Sequence, residues 1–323
     1  MDEPRLKSVC PNCQINDAYL IQNSHVQLQQ KNEIFQFLKC KNCSLIYLNM
    51  PPNSEKMSEY YHSCYLPHLG SKAWGKYAKF VDKAQISVDM KKLNYVNKYY
   101  PHFNEKSHLL DYGCGKPTFL DFAKKKSNAY CSGLDISEQG WGDYKINSLN
   151  NLNLVKGIFS DLNKNIKFNV ITLWHVLEHE YNPVMILQNL KKIIAEDGIL
   201  IIEVPNHNSF FVKIQKGFWA GYHTPRHTVV FTKQTITNTL ARSGWNVVKY
   251  KKYGTLDAFT LWWLGRHERL CHEKNTHLID FEPRFLSYLF LKIITWPFFI
   301  LERIIGLGVL IVIAKPKNMN EKY

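Results

Sequence analysis

Residues 109–120 read LLDYGCGKPTFL: an apolar run ending in Asp111, a tight turn Gly113-Cys114-Gly115, then a helix-forming stretch. No other segment narrows the choice of fold as far. Glycine lets the backbone turn sharply and approach a ligand where a Cβ would clash. A helix starting behind such a turn offers unpaired N–H groups and a partial positive charge, which suit a carboxylate. Two glycines alone also describe an ordinary strand-to-helix turn, so the residues downstream decide between the two. A second strand, AYCSGLD, ends in Asp135, where a doubly wound sheet holds ribose hydroxyls. A third candidate, LNLVKGIFSD, ends in Asp161. A fourth, FNVITLW over 168–174, runs into His175-Val176-Leu177-Glu178-His179. Asn182-Pro183 then reads as a helix cap with proline at the first helical position, and a fifth strand, GILIIEVP, covers 198–205. Strand and helix alternate, and polar residues gather at the carboxyl ends of the strands. This predicts an α/β fold with an open parallel sheet whose ligand side lies at those ends.

Residues 105–253, with a last strand near 308–314, resemble a class I S-adenosylmethionine-dependent methyltransferase. DYGCGKP resembles the family's D-x-G-x-G-x-G turn, and GLDIS its ribose-binding strand end. FNVITLWHVLEH followed by LKKIIAEDGILIIEVPN is similar to the small-molecule branch typified by ubiquinone-biosynthesis O-methyltransferases. The resemblance implies a Rossmann-like seven-stranded sheet and S-adenosylmethionine as cofactor. It implies that Asp111, Gly113 and Gly115 form the cofactor turn, with the glycines against the methionine part. Asp135 would accept the ribose hydroxyls, Asp161 would lie near the adenine amine, and Trp174 near the adenine or the sulfonium. One position departs: the third glycine is Pro117. Proline fits the first helical turn but removes one N–H.

The N-terminus carries a second signal. Cys10-Pro-Asn-Cys13 and Cys40-Lys-Asn-Cys43 are two C-x-x-C pairs, 26 residues apart. Four thiolates on two such knuckles suit a structural Zn2+ with no open position for chemistry. The alternative, a redox or disulfide pair, is rare in cytosolic chains. Short strands (AYLIQ, EIFQFLKC, SLIYLN) flank the pairs, and the segment resembles a zinc ribbon. Cysteines 64, 114, 131 and 271 have no such spacing and read as ordinary small side chains. A chain of 323 residues exceeds one typical domain, and a ribbon of this size needs metal for stability. The expected organisation is a ribbon over 1–50, a linker and N-terminal helices over 51–104, the methyltransferase core over 105–253, an apolar helical insertion over 254–306, and the last strand and tail over 307–323. The linker holds Pro51, Pro52, Tyr60, Tyr61 and Tyr65, and a helix is predicted from Trp74 to Tyr99.

Methyl transfer requires an acceptor placed in line and a base for its proton. Candidate bases gather in two places: Glu178-His179 after the fourth strand, and GYHTPRHTVV over 221–230 with His223, Arg226 and His227. Histidine is favoured because its pKa lies near working pH, although most of the thirteen histidines must be bystanders. Arg226 either grips a phosphate or carboxylate or pins its loop. No divalent-metal cluster is visible in the sequence, so metal-independent chemistry is expected. The Asn/Asp-Pro-Pro-aromatic motif of exocyclic-amine methylases is absent after the fourth strand, where WHVL stands.

Net charge is +14, yet residues 1–73 hold 7 basic and 6 acidic residues, against 25 and 14 over 74–253. A near-neutral ribbon argues against docking on RNA. The basic core suits phosphorylated substrates or an anionic membrane. Residues 281–313 are strongly apolar, but Arg284, Lys292, Glu302 and Arg303 interrupt them and Pro297 breaks them. Their longest charge-free stretch, 304–314, falls short of the ~20 residues a spanning helix needs. Residues 285–304 are expected to form one or two amphipathic helices, serving as a helical cap, a homodimer face or a membrane-interface patch. Residues 1–20 are polar, so no leader is expected and the chain is placed in the cytoplasm, with peripheral membrane contact as an option. The favoured function is methylation of a small hydroxylated acceptor, an activated, phosphorylated or lipid-linked sugar or a natural-product intermediate, including surface-polysaccharide pathways. O-methylation is preferred and C-methylation is open. The alternatives are an RNA base methyltransferase and a non-catalytic cofactor-binding protein.

Overall fold

A computed structural model describes residues 8–29, 31–61, 69–142, 152–276, 278 and 280–317. Cys64 and Tyr65, singled out above, lie outside the described residues. Strands β1 (Ala18–His25), β2 (Ile34–Cys40) and β3 (Ile46–Leu48) come first, then helix α1 (Ser54–Ser58). The helix predicted from Trp74 is split: a tight 3-10 run, Gly70–Tyr77, turns at Gly75 (φ 51, ψ −123) into α2 (Ala78–Tyr99). The core continues as β4 (His108–Tyr112), α3 (Thr118–Ser127), β5 (Tyr130–Asp135), β6 (Asn153–Lys156) and β7 (Phe168–Trp174). After it come α4 (Pro183–Ile193), β8 (Ile194–Pro205), α5 (Phe210–Gln215) and β9 (Val229–Val230). The chain ends with α6 (Lys233–Arg242), β10 (Trp245–Lys251), α7 (Ala258–Glu273), α8 (Phe285–Phe299), α9 (Glu302–Ile305) and β11 (Val309–Pro316).

The main sheet has seven strands in the order β10-β11-β8-β7-β4-β5-β6. The strands from β8 to β6 run parallel, while β11 is antiparallel to both β8 and β10. Period-two alternation sends side chains to opposite faces, and both faces are covered, so the central strands read as apolar runs. On one face Leu110, Ile171, Leu200 and Ile202 pack with Leu187 and Leu190 of α4 and Ile236 and Leu240 of α6. On the other, Leu109, Val170, Ile199 and Ile201 pack with Leu93 and Val96 of α2 and Phe119 and Leu120 of α3. Each such side chain contributes about 1.5–3 kcal/mol by leaving water. The helix starts are fixed locally. Asn182 caps α4 by accepting from the Met185 N–H at 3.0 Å, with Pro183 in the first turn. Thr232 caps α6, and Asp257 caps α7. Pro117 stands at the cap position of α3, one residue before the helix.

The ribbon is less separate than a boundary at residue 50 implies. Its sheet has the order β1-β2-β3-β9, and the fourth strand comes from the core segment: Ile46 pairs with Val230 and Tyr47 with Val229. Phe37, Ile46 and Leu48 bury one ribbon face against Phe211, Trp219 and Tyr222. A two-residue strand leaves almost no sequence signal. The insertion holds α7, α8 and α9 between the two antiparallel strands β10 and β11. No helix among the described residues is long and apolar enough to cross a membrane.

Candidate active site

The motif residues meet at the carboxyl edge of β4, β5 and β7. Gly113 and Gly115 adopt left-handed backbone (φ 75 and 49), where glycine is at no disadvantage. A Cβ on Gly113 would lie 2.4 Å from the Val176 side chain, so this turn closes only around glycine. At Gly115 nothing lies within 4 Å of that position, which leaves open space beside the turn. Asp135 reaches across to the turn: its Oδ2 accepts the Gly115 N–H at 2.8 Å and its Oδ1 the Ser137 N–H at 2.9 Å. An ionised carboxylate has about four acceptor positions, so two are left for hydroxyls. Asp111 does not project toward this space. It is buried, accepts the Thr172 hydroxyl at 2.6 Å, and burial pushes its pKa up to about 6. Asp161 caps its own turn by accepting the Ile158 N–H at 2.8 Å, and it lies over Gly157, whose N–H donates to the Asp135 carbonyl at 2.9 Å. Trp174 is 8% exposed at the end of β7, and its buried Nε1 has no hydrogen-bond partner. Lys92 of α2 lies 5.3 Å from the Trp174 ring centre. Lys92 and the buried Asp89 are site-edge residues that sequence reasoning missed, because α2 showed only a generic helical pattern.

Beyond β7 the chain builds a charged row. His175 takes a left-handed conformation (φ 58). Its Nε2 donates to Glu203 Oε1 at 3.0 Å, and its Nδ1 faces Glu178 Oε1 at 3.4 Å. Burial alone would lower the His175 pKa, but the two carboxylates raise it to about 10. Burial pushes Glu203 upward as well, yet His175 and the Thr255 and Leu256 N–H groups bring it below the usual carboxylate value. Neither His175 nor Glu203 was chosen from the sequence. The available signal was a carboxylate inside the apolar strand GILIIEVP.

The three predicted histidines do come together. The His179 and His227 ring centres are 4.6 Å apart, and His223 lies 5.0 Å from His227. His179 Nδ1 donates to the Arg226 carbonyl at 3.1 Å and lies 3.0 Å from the Tyr61 hydroxyl. His227 Nδ1 donates to the Gly221 carbonyl at 2.8 Å. A carbonyl only accepts, so each Nδ1 carries the proton, and in the neutral ring each Nε2 keeps its lone pair. The buried Glu178 lies 3.9 Å from His227 Nε2. Burial holds His179 below the ordinary imidazole value, and holds His223 and His227 well below it. Nearby Arg226 and the neighbouring histidines lower His223 further. Arg226 pins its loop. It is 1% exposed and donates to the carbonyls of Tyr60 at 2.8 Å and Gln27 at 2.9 Å, tying the ribbon to this loop. Beyond the four cysteines the sequence showed no metal cluster, but among the described residues the fold assembles one further candidate. Donor atoms of Glu178, His179 and His227 lie within 4.8 Å of one another, a set that suits a divalent ion as well as base catalysis.

At the ribbon, the Sγ atoms of Cys10 and Cys43 are 3.5 Å apart, as are those of Cys13 and Cys40. Zinc bonds of ~2.3 Å place tetrahedral sulfurs about 3.8 Å apart, so the four free thiols fit that ion without large movement. A separate cavity of about 480 Å³ opens at the seam between ribbon and core. Lys39, Lys213, Lys216, His207 and Tyr222 line it, and no carboxylate among the described residues does. It does not include the glycine turn or the histidine cluster, although its wall residue Tyr222 immediately precedes His223.

A family profile described as a methyltransferase domain matches residues 85–250. A search of curated proteins gives no match. Among solved structures, the [4+2]-cyclase SpnF is similar over 83% of this chain and 97% of its own, with 12% identity and a TM-score of 0.51. Magnesium protoporphyrin IX methyltransferase from Synechocystis PCC 6803, solved with bound SAH, is similar over 82% of this chain and 100% of its own, with 11% identity and a TM-score of 0.50. At such identities the likeness concerns the fold.

Proposed function

The chain belongs to the methyltransferase-domain family, and from that premise we propose that it methylates a hydroxyl of a small acceptor. The acceptor class is an activated or lipid-linked sugar or a natural-product intermediate. When bound, S-adenosylmethionine supplies an electrophilic methyl group. Gly113, Gly115, Asp135, Asp161 and Trp174 would hold it. The open space at Gly115, the spare acceptor positions of Asp135 and the unpartnered Trp174 Nε1 support that placement.

The observation that carries the reading is the pair of neutral imidazoles, each anchored through Nδ1 to a carbonyl with Nε2 free. One of them would accept the acceptor's hydroxyl proton as that oxygen takes the methyl group and the methyl–sulfur bond breaks, and Glu178 would stabilise the resulting imidazolium. A carbon acceptor with an acidic C–H would use the same base. Structural zinc in the cysteine set keeps the ribbon in place, and the lysine-lined seam cavity suits an anionic group on the acceptor. The near-neutral ribbon weighs against an RNA substrate. The intact histidine row weighs against a non-catalytic role.

The test is transfer of labelled methyl from S-adenosylmethionine into extract of the source cell, fractionated into soluble small molecules, lipids and RNA, with Asp135→Ala as control. Label is expected in the first two fractions. His179→Ala or His227→Ala is expected to lose about 10²–10⁴ in rate. Label in RNA, or full turnover in His179→Ala, His223→Ala and His227→Ala alike, would overturn the reading.

A further inference from the structure

The outer face of the insertion departs furthest from an ordinary water-facing surface. Leu286, Phe290, Ile293, Ile294, Trp296 and Ile304 are each between 58% and 73% exposed. At about 100° per residue, the five on α8 cover an arc of roughly 160°. The opposite side of the helix is packed: Tyr288 meets Trp74, Phe259 and Trp263, and Phe299 meets Phe211. Water-soluble monomers rarely leave an apolar surface of this extent uncovered, and such patches mark a partner or a membrane.

The charge around this ridge points to one occupant. From Phe285 to Leu301 the sequence has no acidic residue. Its single cation, Lys292, is turned inward to Asp257 at 2.8 Å. Cations stand at the two ends instead, with the acidic residues Asp82, Glu282 and Glu302 beside them. Exposed Lys79 and Lys83 flank Phe80, itself 65% exposed and with its ring 6.3 Å from that of Phe285. At the far end Arg303 is exposed, and Lys252 Nζ donates to the Ile304 carbonyl at 3.2 Å. Helix α8 has 15 residues, about 22 Å, against a hydrocarbon core of about 30 Å. It is too short to cross a bilayer but long enough to lie along one. A two-fold contact between copies would set this convex ridge against itself and cover one stripe of it, whereas fluid acyl chains wrap the whole arc.

We propose that α8 and α9 seat this chain on an anionic membrane surface, with Leu286, Phe290, Ile293 and Trp296 at the acyl boundary and Lys79, Lys83, Lys252 and Arg303 at the headgroups. The packed side of α8 connects inward through Trp74 to the cluster that includes Tyr61, whose hydroxyl meets His179. The membrane-facing helix is therefore joined to the histidine site through packed side chains. This deepens the reading above by saying where a lipid-linked acceptor is met. It is measured without turnover, so the two can fail separately.

The test is flotation of the full zinc-loaded chain with vesicles of phosphatidylcholine alone or with added phosphatidylglycerol. Ile293→Glu and Phe290→Glu change exposed residues and are checked for unchanged circular dichroism and zinc content. The wild-type chain is expected to float with the anionic vesicles, and each variant to partition roughly tenfold less. A wild-type chain that stays at the bottom with both vesicles, or variants that float as well as it does, would overturn the proposal. Equal flotation on neutral vesicles would overturn the headgroup role of the cations. A dimer in sedimentation that Ile293→Glu dissociates, with no flotation, would assign the face to a second copy.

Discussion

Arg226→Met should loosen the ribbon from the histidine loop before it unfolds the core. The guanidinium is 1% exposed and makes two well-formed bonds to carbonyls, Tyr60 at 2.8 Å and Gln27 at 2.9 Å, with a longer contact to Gln29 Oε1 at 3.4 Å. A hydrogen bond from a charged donor contributes about 1.5–3 kcal/mol net, so the two good bonds amount to about 3–6 kcal/mol. Methionine fills similar volume but leaves both carbonyls without their donor. Local opening of the seam should therefore rise by roughly 150-fold or more, the factor equivalent to about 3 kcal/mol. Two amides report that opening directly: Gln27 N–H donates to Thr224 at 3.1 Å, and Leu48 N–H to Thr228 at 2.8 Å. Hydrogen exchange would follow them against a core amide such as Ile171. The expected result is lost protection at Gln27 and Leu48 with Ile171 little changed. His179 is anchored on the Arg226 carbonyl, so turnover should fall with them. Unchanged protection at Gln27 and Leu48 would refute the argument that this arginine couples the two parts.

Other outcomes rest on the same geometry. Gly113→Ala must accommodate φ 75 and a Cβ 2.4 Å from Val176, so calorimetry should show S-adenosylmethionine binding weakened tenfold or more; unchanged affinity would place the cofactor elsewhere. Cys13→Ser should reduce bound zinc below one per chain and expose ribbon amides to exchange, and full zinc content would refute the four-thiolate site. Burial lowers His227 well below its ordinary value, so between the two values the unfolded chain binds more protons. This contribution to stability is present above about pH 6.5 and is lost as pH falls. Urea midpoints at pH 7.5 and 5.5 should therefore differ less in His227→Gln than in wild type. His175, raised to about 10, acts in the opposite sense. Its contribution is complete below about pH 6.5 and is lost as pH rises through 10, and His175→Gln should flatten that alkaline loss. Added magnesium or manganese should leave turnover of the zinc-loaded chain unchanged if the histidines act as bases, whereas stimulation by either ion would make Glu178, His179 and His227 ligands.

The alternation of strand and helix in the core was legible because the central strands are apolar runs, and because cap signals such as Asn182-Pro183 mark helix starts. The glycine turn, Asp135 and the HVLEH segment were readable as local strings. The cysteine set was readable because its spacing is itself the geometry. What stayed hidden depends on distant packing. Glu203 becomes part of the site only through its parallel neighbour β7, whose end delivers His175. Tyr61 reaches His179 across more than a hundred residues of sequence. Asp111 looked like a ligand contact, but the fold turns it toward Thr172. Arg226 was open to two readings until the carbonyls of Tyr60 and Gln27 were found around it. The split at Gly75 and the two-residue β9 are too short for any periodic signal.

That short strand bears on the order in which the protein is made. Val229 and Val230 close the edge of a sheet whose other three strands lie within the first fifty residues. On the ribosome, β3 must wait as an open edge while about 180 further residues, up to β9, are synthesised. An unpaired edge invites wrong pairing, and zinc captured by the first two knuckles would hold the early ribbon together during that delay. His227 lies just before β9, so the pairing that completes the ribbon sheet also sets the histidine in place. Completion of the ribbon sheet and placement of the histidine loop are then one event.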